Sequence, residues 1–148
     1  MSNSVYVSLD HGDPFQKAAF GLLIRNPNHP LDCHDRSVGG SKITCGPDDA
    51  DSKPLREEIL KQLDAASRLV VLIGEYTYMD DWVRWEIDTF YNLKQKTYGD
   101  KTWHLIRGMR IENRPDAIAP AALGDRSTEL MAWNPKELDS WINQPITA

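Results

Sequence analysis

Between Leu69 and Ile73 five apolar residues stand in a row, Leu-Val-Val-Leu-Ile, and Gly74 closes them. A strand with one wet face alternates apolar and polar residues. A run with no polar position reads as a strand buried on both faces, and such strands belong to parallel sheets covered by helices on either side. The rest of the chain supplies the covering layers. Val5-Tyr6-Val7-Ser8-Leu9 reads as a first strand. Asp13-Pro14-Phe15-Gln16 opens a helix, with Asp13 as cap, Pro14 at the first helical position and Gln16 closing a capping box. Phe15, Ala18, Ala19 and Leu22 recur on one face of it, and Asn26-Pro27-Asn28 ends it.

Leu31 to His34 predicts a short second strand, and residues 36–53 a long loop rich in Gly, Ser and Asp. A helix begins near Pro54 with Leu55, Ile59, Leu63 and Ala66 inward. Another begins near Asp81 with Val83, Ile87, Phe90 and Leu93 inward. Thr102 to Arg107 and Thr128 to Trp133 read as the fourth and fifth strands, and Gly108 to Gly124 as irregular. Asn134-Pro135-Lys136-Glu137 opens the last helix with a second capping box. This alternation predicts an α/β fold of three layers around a central parallel sheet of about five strands, flavodoxin-like in outline. A length of 148 residues fits one domain, residues 1–148.

The balance of 17 Lys and Arg against 22 Asp and Glu, a formal charge of -5, argues against a nucleic-acid backbone as ligand, because phosphate tracks need a basic face. No apolar run is long enough to cross a bilayer, and MSNSVYVSLD lacks the layout of a signal peptide. The chain therefore reads as cytoplasmic, with Cys33 and Cys45 reduced. Gly39-Gly40-Ser41-Lys42 lacks the first glycine of a phosphate-binding loop, and Cys33, His34 and Cys45 lack a fourth ligand for zinc, so no metal is expected.

In open parallel sheets ligands bind beyond the carboxyl ends of the strands. Asp10-His11-Gly12, Asp35-Arg36 and Glu75-Tyr76 converge on that edge. Trp82 and Glu86, four residues apart, share one side of the helix that starts there.

The segment GEYTYMDDWVRWEI, Gly74 to Ile87, is the most specific text in the chain. It resembles the TIR-like branch of the TIR superfamily, in particular the ThsB proteins of Thoeris antiphage systems. The resemblance rests on a Trp followed four residues later by Glu at the start of the helix after the third strand, here Trp82 and Glu86. RLVVLIGE, VYVSLDHGD and AWNPKELDSWI are similar to the family's third strand, first strand and closing strand and helix. Val83 stands where TIR domains often have Cys, Asp81 where Ser is frequent, and Leu9 where an aromatic is usual.

The resemblance implies an enzyme that cleaves NAD to nicotinamide and an ADP-ribose product, cyclic or conjugated. NAD is then a substrate, and no cofactor is needed. The product would act as a signal on a separate effector protein, since 148 residues leave no room for an effector domain. Homo-oligomers on activation are expected, and neither nucleic acid nor membrane as partner. Glu86 would be the catalytic residue. Nicotinamide leaves as a neutral molecule, so no acid is required, and one carboxylate can stabilise the oxocarbenium-like ribose. Trp82 would wall the cleft or stack on nicotinamide, His11 and Arg36 would reach the pyrophosphate, and Tyr76 would stack on a ring. Ser8 and Asp10, at the end of the first strand, complete the expected binding set. Two other readings compete: a non-catalytic interaction module, and an N-glycosidic enzyme of the nucleoside deoxyribosyltransferase kind.

Overall fold

The computed structural model of the chain describes residues 4–10, 13–25, 33–34, 46–124 and 130–146. Five strands form one sheet: β1 (Val5–Ser8), β2 (Cys33–His34), β3 (Arg68–Ile73), β4 (Ile106–Arg110) and β5 (Leu130–Met131). Every pairing is parallel and the spatial order is β2-β1-β3-β4-β5. That is the flavodoxin-like order, whose direction of winding reverses between β1 and β3. The apolar run is the central strand, and all six residues of β3 are buried.

Period-two alternation divides the core into two layers. Leu69, Val71 and Ile73 pack with Tyr6 of β1 against α2 (Lys53–Ala65) and α3 (Asp81–Tyr98), meeting Ile59, Leu63, Val83, Ile87 and Phe90. Val70 and Leu72 face the other way with Val5 and Val7. There they meet Ala19 of α1 (Pro14–Arg25) and Leu138, Trp141 and Ile142 of α5 (Pro135–Ile142). Each fully buried Leu, Ile or Val contributes about 1.5–3 kcal/mol relative to exposure. The helical stripes expected for α2 and α3 are the buried ones, with Leu55 and Leu93 partly covered. Among the described residues no helix is long and apolar enough to cross a membrane.

Six expectations need correction. In α1 the expected stripe is out of phase. Phe15 and Leu22 are each 58% exposed, Ala18 is exposed, and only Ala19 of the four is buried. The inward side carries Gln16 and Ala19 with Phe20 partly covered, because Gln16 is held at the sheet edge by polar contacts that outweigh the burial of Phe15. Gln16 consequently does not close a capping box. Its side-chain oxygen accepts from the Asp10 amide, while Asp13 Oδ1 caps by accepting from Phe15 N at 2.9 Å.

The fourth strand starts four residues later than Thr102. Gly99–Leu105 forms a 3-10 segment in which the Thr102 hydroxyl donates to Gly99 O at 2.7 Å. The strand then runs through Gly108, where a Cβ would lie 2.7 Å from Leu130 Cδ2 and 3.0 Å from Ile73 Cδ1, so neighbouring side chains occupy the missing position. The stretch read as irregular also holds a one-turn helix, α4 (Ala121–Gly124), anchored by fully buried Leu123. The fifth strand is described over Leu130–Met131 and ends two residues short of Trp133, while Thr128 and Glu129 lie outside the described residues. In α5 Asn134 Oδ1 accepts from Glu137 N at 3.1 Å, but the return contact comes from the Asn134 side-chain amide, so half of the expected capping box forms.

Candidate functional site

The helix that carries Trp82 and Glu86 is launched by Asp80, one residue before the expected start. Asp80 Oδ1 accepts from Val83 N at 3.0 Å, and Asp81 sits in the first turn 3.5 Å from Arg84 on the exposed side. This phase turns Trp82, Val83, Glu86, Ile87 and Phe90 toward the sheet. Val83, Ile87 and Phe90 fill the core layer, and Glu86 enters it between them.

Glu86 is wholly buried. Among the described residues it is the only acidic side chain that is. The hydroxyl of Tyr6 donates to its Oε2, and the hydroxyl of Ser8 donates to its Oε1 at 2.9 Å. Tyr6 and Ser8 are themselves fully buried, two residues apart on one face of β1. A carboxylate taken out of water is costly unless its oxygens receive donors. The two hydroxyls supply them, and they fix the carboxylate against the face of β1 next to the β1–β3 reversal. Strand register sets this geometry: Tyr6 pairs with Leu69 and Ser8 with Val71 of the central strand.

A second polar cluster ties the carboxyl ends of β1 and β3 together. Gln16, fully buried, accepts from Asp10 N at 2.9 Å and donates to Asp13 Oδ2 at 3.1 Å and to Thr77 Oγ1 at 2.8 Å. Thr77 Oγ1 in turn accepts from Gly74 N at 2.9 Å. A Cβ on the glycine that closes the apolar run would stand 2.5 Å from Gln16 Nε2 and 2.8 Å from Asp13 Oδ2, so this cluster would have to shift to admit it.

Of the seven residues singled out in the sequence, the structure brings Glu86 and Ser8 into direct contact. Asp10 follows on the same loop, half-buried, with its amide held by Gln16. Trp82 is on the same helix but is 6% exposed, its ring set edge-on to Trp85 at 5.7 Å and 82°. Tyr76 stands apart on the rim, 58% exposed, beside Tyr78 and Met79 and near the half-exposed Glu75–Arg114 pair at 3.2 Å. His11 and Arg36 lie outside the described residues. Tyr6 and Gln16 were not singled out. Period-two spacing gives Tyr6 away, because whatever touches Ser8 from a helix over that face also passes Tyr6. Among the described residues no three His, Cys, Asp or Glu side chains are grouped to hold a metal ion.

The profile of the family described as "Thoeris protein ThsB, TIR-like domain" matches residues 6–113, which include β1 from Tyr6 onward, the Glu86 helix and β4. No curated protein matches the chain. Among solved structures the chain is similar to a conserved protein from Enterococcus faecalis V583, with a TM-score of 0.60 and 14% identity over 96% of this chain and 98% of that one. At that identity the likeness speaks for the fold alone.

Proposed function

The chain belongs to the TIR-like domain family of Thoeris ThsB proteins, and from that premise we propose that it cleaves NAD at the nicotinamide–ribose bond. The observation that carries the reading is Glu86, the sole buried acid among the described residues, held on both oxygens by Tyr6 and Ser8. In the proposed step the bond between the ribose C1′ and the pyridinium nitrogen breaks. Its electron pair passes to the ring, which leaves as neutral nicotinamide. Positive charge grows on the ribose, the Glu86 carboxylate stabilises it once the site has opened, and water or another hydroxyl or amine nucleophile then bonds to C1′ and gives up a proton. The Tyr6 and Ser8 hydroxyls act as positioning groups that set the rotamer of that carboxylate.

Full burial has a consequence for the mechanism. A group with no exposed surface cannot touch a ribose, so turnover requires local displacement at the carboxyl edge, and the arrangement of Tyr6, Ser8 and Glu86 is a resting one. Assembly of several copies is the proposed trigger. The ADP-ribose-derived product, cyclic or conjugated, is proposed to act on a separate effector protein, with the chain functioning as one domain.

The interaction-module reading draws on the same burial, in which Glu86 is an internal polar tie and nothing more. Nicotinamide release from NAD separates the two. Purified protein is assayed by chromatography at low and high protein concentration, beside Glu86→Gln. Release that is lost in a folded Glu86→Gln variant supports cleavage. Release that survives the substitution overturns the role of Glu86, and folded wild type silent at both concentrations overturns the enzymatic reading. Release of base from free nucleosides in place of NAD would move the assignment to the deoxyribosyltransferase-like class.

A further inference from the structure

The opposite edge of the sheet holds a cavity of about 520 Å³ that the Glu86 chemistry does not use. It opens at the amino ends of β3 and β4, where Arg68 and Ile106 begin their strands, and Trp141 of α5 and Gln144 just beyond that helix close it. Six residues of β3 separate it from the carboxyl edge, roughly 16 Å at the usual rise per strand residue. Its size falls among pockets that hold small organic ligands.

The lining has one sign of charge. Arg68, Lys101 and Arg107 contribute to the wall, and no acidic side chain is among the described residues that line it, in a chain whose acids outnumber its bases by 22 to 17. Arg68 is 3% exposed. One of its terminal nitrogens, Nη2, donates to the Gln144 carbonyl. Nε and Nη1 have no hydrogen-bond partner among the described residues. A buried guanidinium so poorly matched costs stability, and a bound anion or water is one arrangement that would satisfy it. Arg68 and Arg107 also sit over the same indole, with their guanidinium carbons 5.2 and 4.7 Å from the centroid of Trp141. Burial and then the neighbouring Arg107 charge both disfavour protonated Arg68 and lower its pKa. An anion near the pair relieves both effects. The rest of the lining mixes the polar His104 and Gln144 with aromatic and apolar residues. Trp103 lines the cavity and is stacked on Tyr91 at 4.4 Å, with Leu105 beside it.

We propose that this amino-edge cavity binds a small organic phosphate of mononucleotide size, its phosphate drawn by Arg68, Arg107 and Lys101 and its ring placed against the Trp103 wall. The proposal stands apart from the Glu86 reading, because it uses other residues at the other end of the strands. Arginine suits phosphate through its planar set of donors, and the aromatic wall suits a base.

The test is a nuclear magnetic resonance titration of the full chain labelled with nitrogen-15, following the indole N–H signals of its five tryptophans. The probes are AMP, adenosine and inorganic phosphate at constant ionic strength. AMP is expected to give saturable shifts at Trp103 and Trp141, at least tenfold tighter than phosphate, and adenosine none. Arg68→Gln risks misfolding because its site is buried. The decisive variants are therefore Arg107→Gln, half-buried, and Lys101→Gln, exposed, which together should weaken AMP at least tenfold. Absence of a saturable shift, shifts at Trp82 and Trp85 instead, or unchanged affinity in the double variant would overturn the proposal. Phosphate binding as tight as AMP would overturn its nucleotide part.

Discussion

Replacing Glu86 by Gln and by Ala separates the carboxylate's charge from its place in the core. The side chain has no exposed surface and accepts from two buried hydroxyls, Tyr6 and Ser8. Gln keeps the shape. Its carbonyl can accept from one hydroxyl and its amide can donate to the other, since a hydroxyl both gives and receives. Each bond falls from the charged range, about 1.5–3 kcal/mol, to the neutral one, about 0.5–1.5, and relief from burying a charge offsets most of that loss. The net change is expected within about 1 kcal/mol, or roughly 4 °C in melting temperature for a chain of this size. Ala removes the acceptor altogether. Two buried hydroxyls then lose the carboxylate, at about 1–3 kcal/mol each, for a total of about 2–6 kcal/mol against a whole stability of about 5–15. Urea and thermal unfolding of the three proteins measure the difference, and nicotinamide release is read on the same samples. Glu86→Gln should melt close to wild type and release nothing. If it unfolds as readily as Glu86→Ala, the carboxylate is structural and the reasoning above fails. Equal melting of all three would show that the Tyr6 and Ser8 bonds contribute nothing to the fold.

Three further outcomes are expected. Asp80→Ala removes the cap on the Glu86 helix and should cost about 0.5–2 kcal/mol, while Asp81→Ala, on the exposed first turn, should cost well under half of that; urea midpoints showing the reverse order would move the cap. Gly74→Ala drives a Cβ into the Gln16–Asp13–Thr77 cluster and should cost about 1–3 kcal/mol, with an unchanged urea midpoint counting against the close approach. Burial holds the Lys94 ammonium below the usual lysine pKa, opposed by Asp64. A base depressed in the folded state binds fewer protons there than when unfolded, so its contribution to stability rises with pH across that window. The difference in unfolding free energy between wild type and Lys94→Met should therefore move in favour of wild type as pH rises toward the ordinary lysine value of 10.5, and a flat difference or one moving the other way refutes the depression.

The layered fold was legible because it follows from local patterns. Leu69 to Ile73 is apolar without interruption, so it had to be covered on both faces, and the stripes through Ile59 and Leu63 and through Val83, Ile87 and Phe90 repeat at the helical period. Phase was less legible than period. The inward side of α1 is set by Gln16 reaching Thr77 across 61 positions of sequence, which no local count of apolar residues contains. The strand expected from Thr102 slipped to Ile106 for a related reason, since the 3-10 segment before it is held by packing as well as by its own turn.

By itself the sequence determined the class of fold, the central strand and the helix that carries Trp82 and Glu86, because side-chain periodicity and capping chemistry act over a few residues. It also singled out Glu86 and Ser8 while leaving them far apart on the chain. Only the tertiary structure decided that they touch, that Tyr6 is the second donor, that Trp82 belongs to the core, and that Arg68, Arg107 and Trp141 enclose a cationic hollow at the other edge. Strand register and the crossing of α5 over the sheet make those contacts, and both join residues too distant in sequence for local patterning to relate.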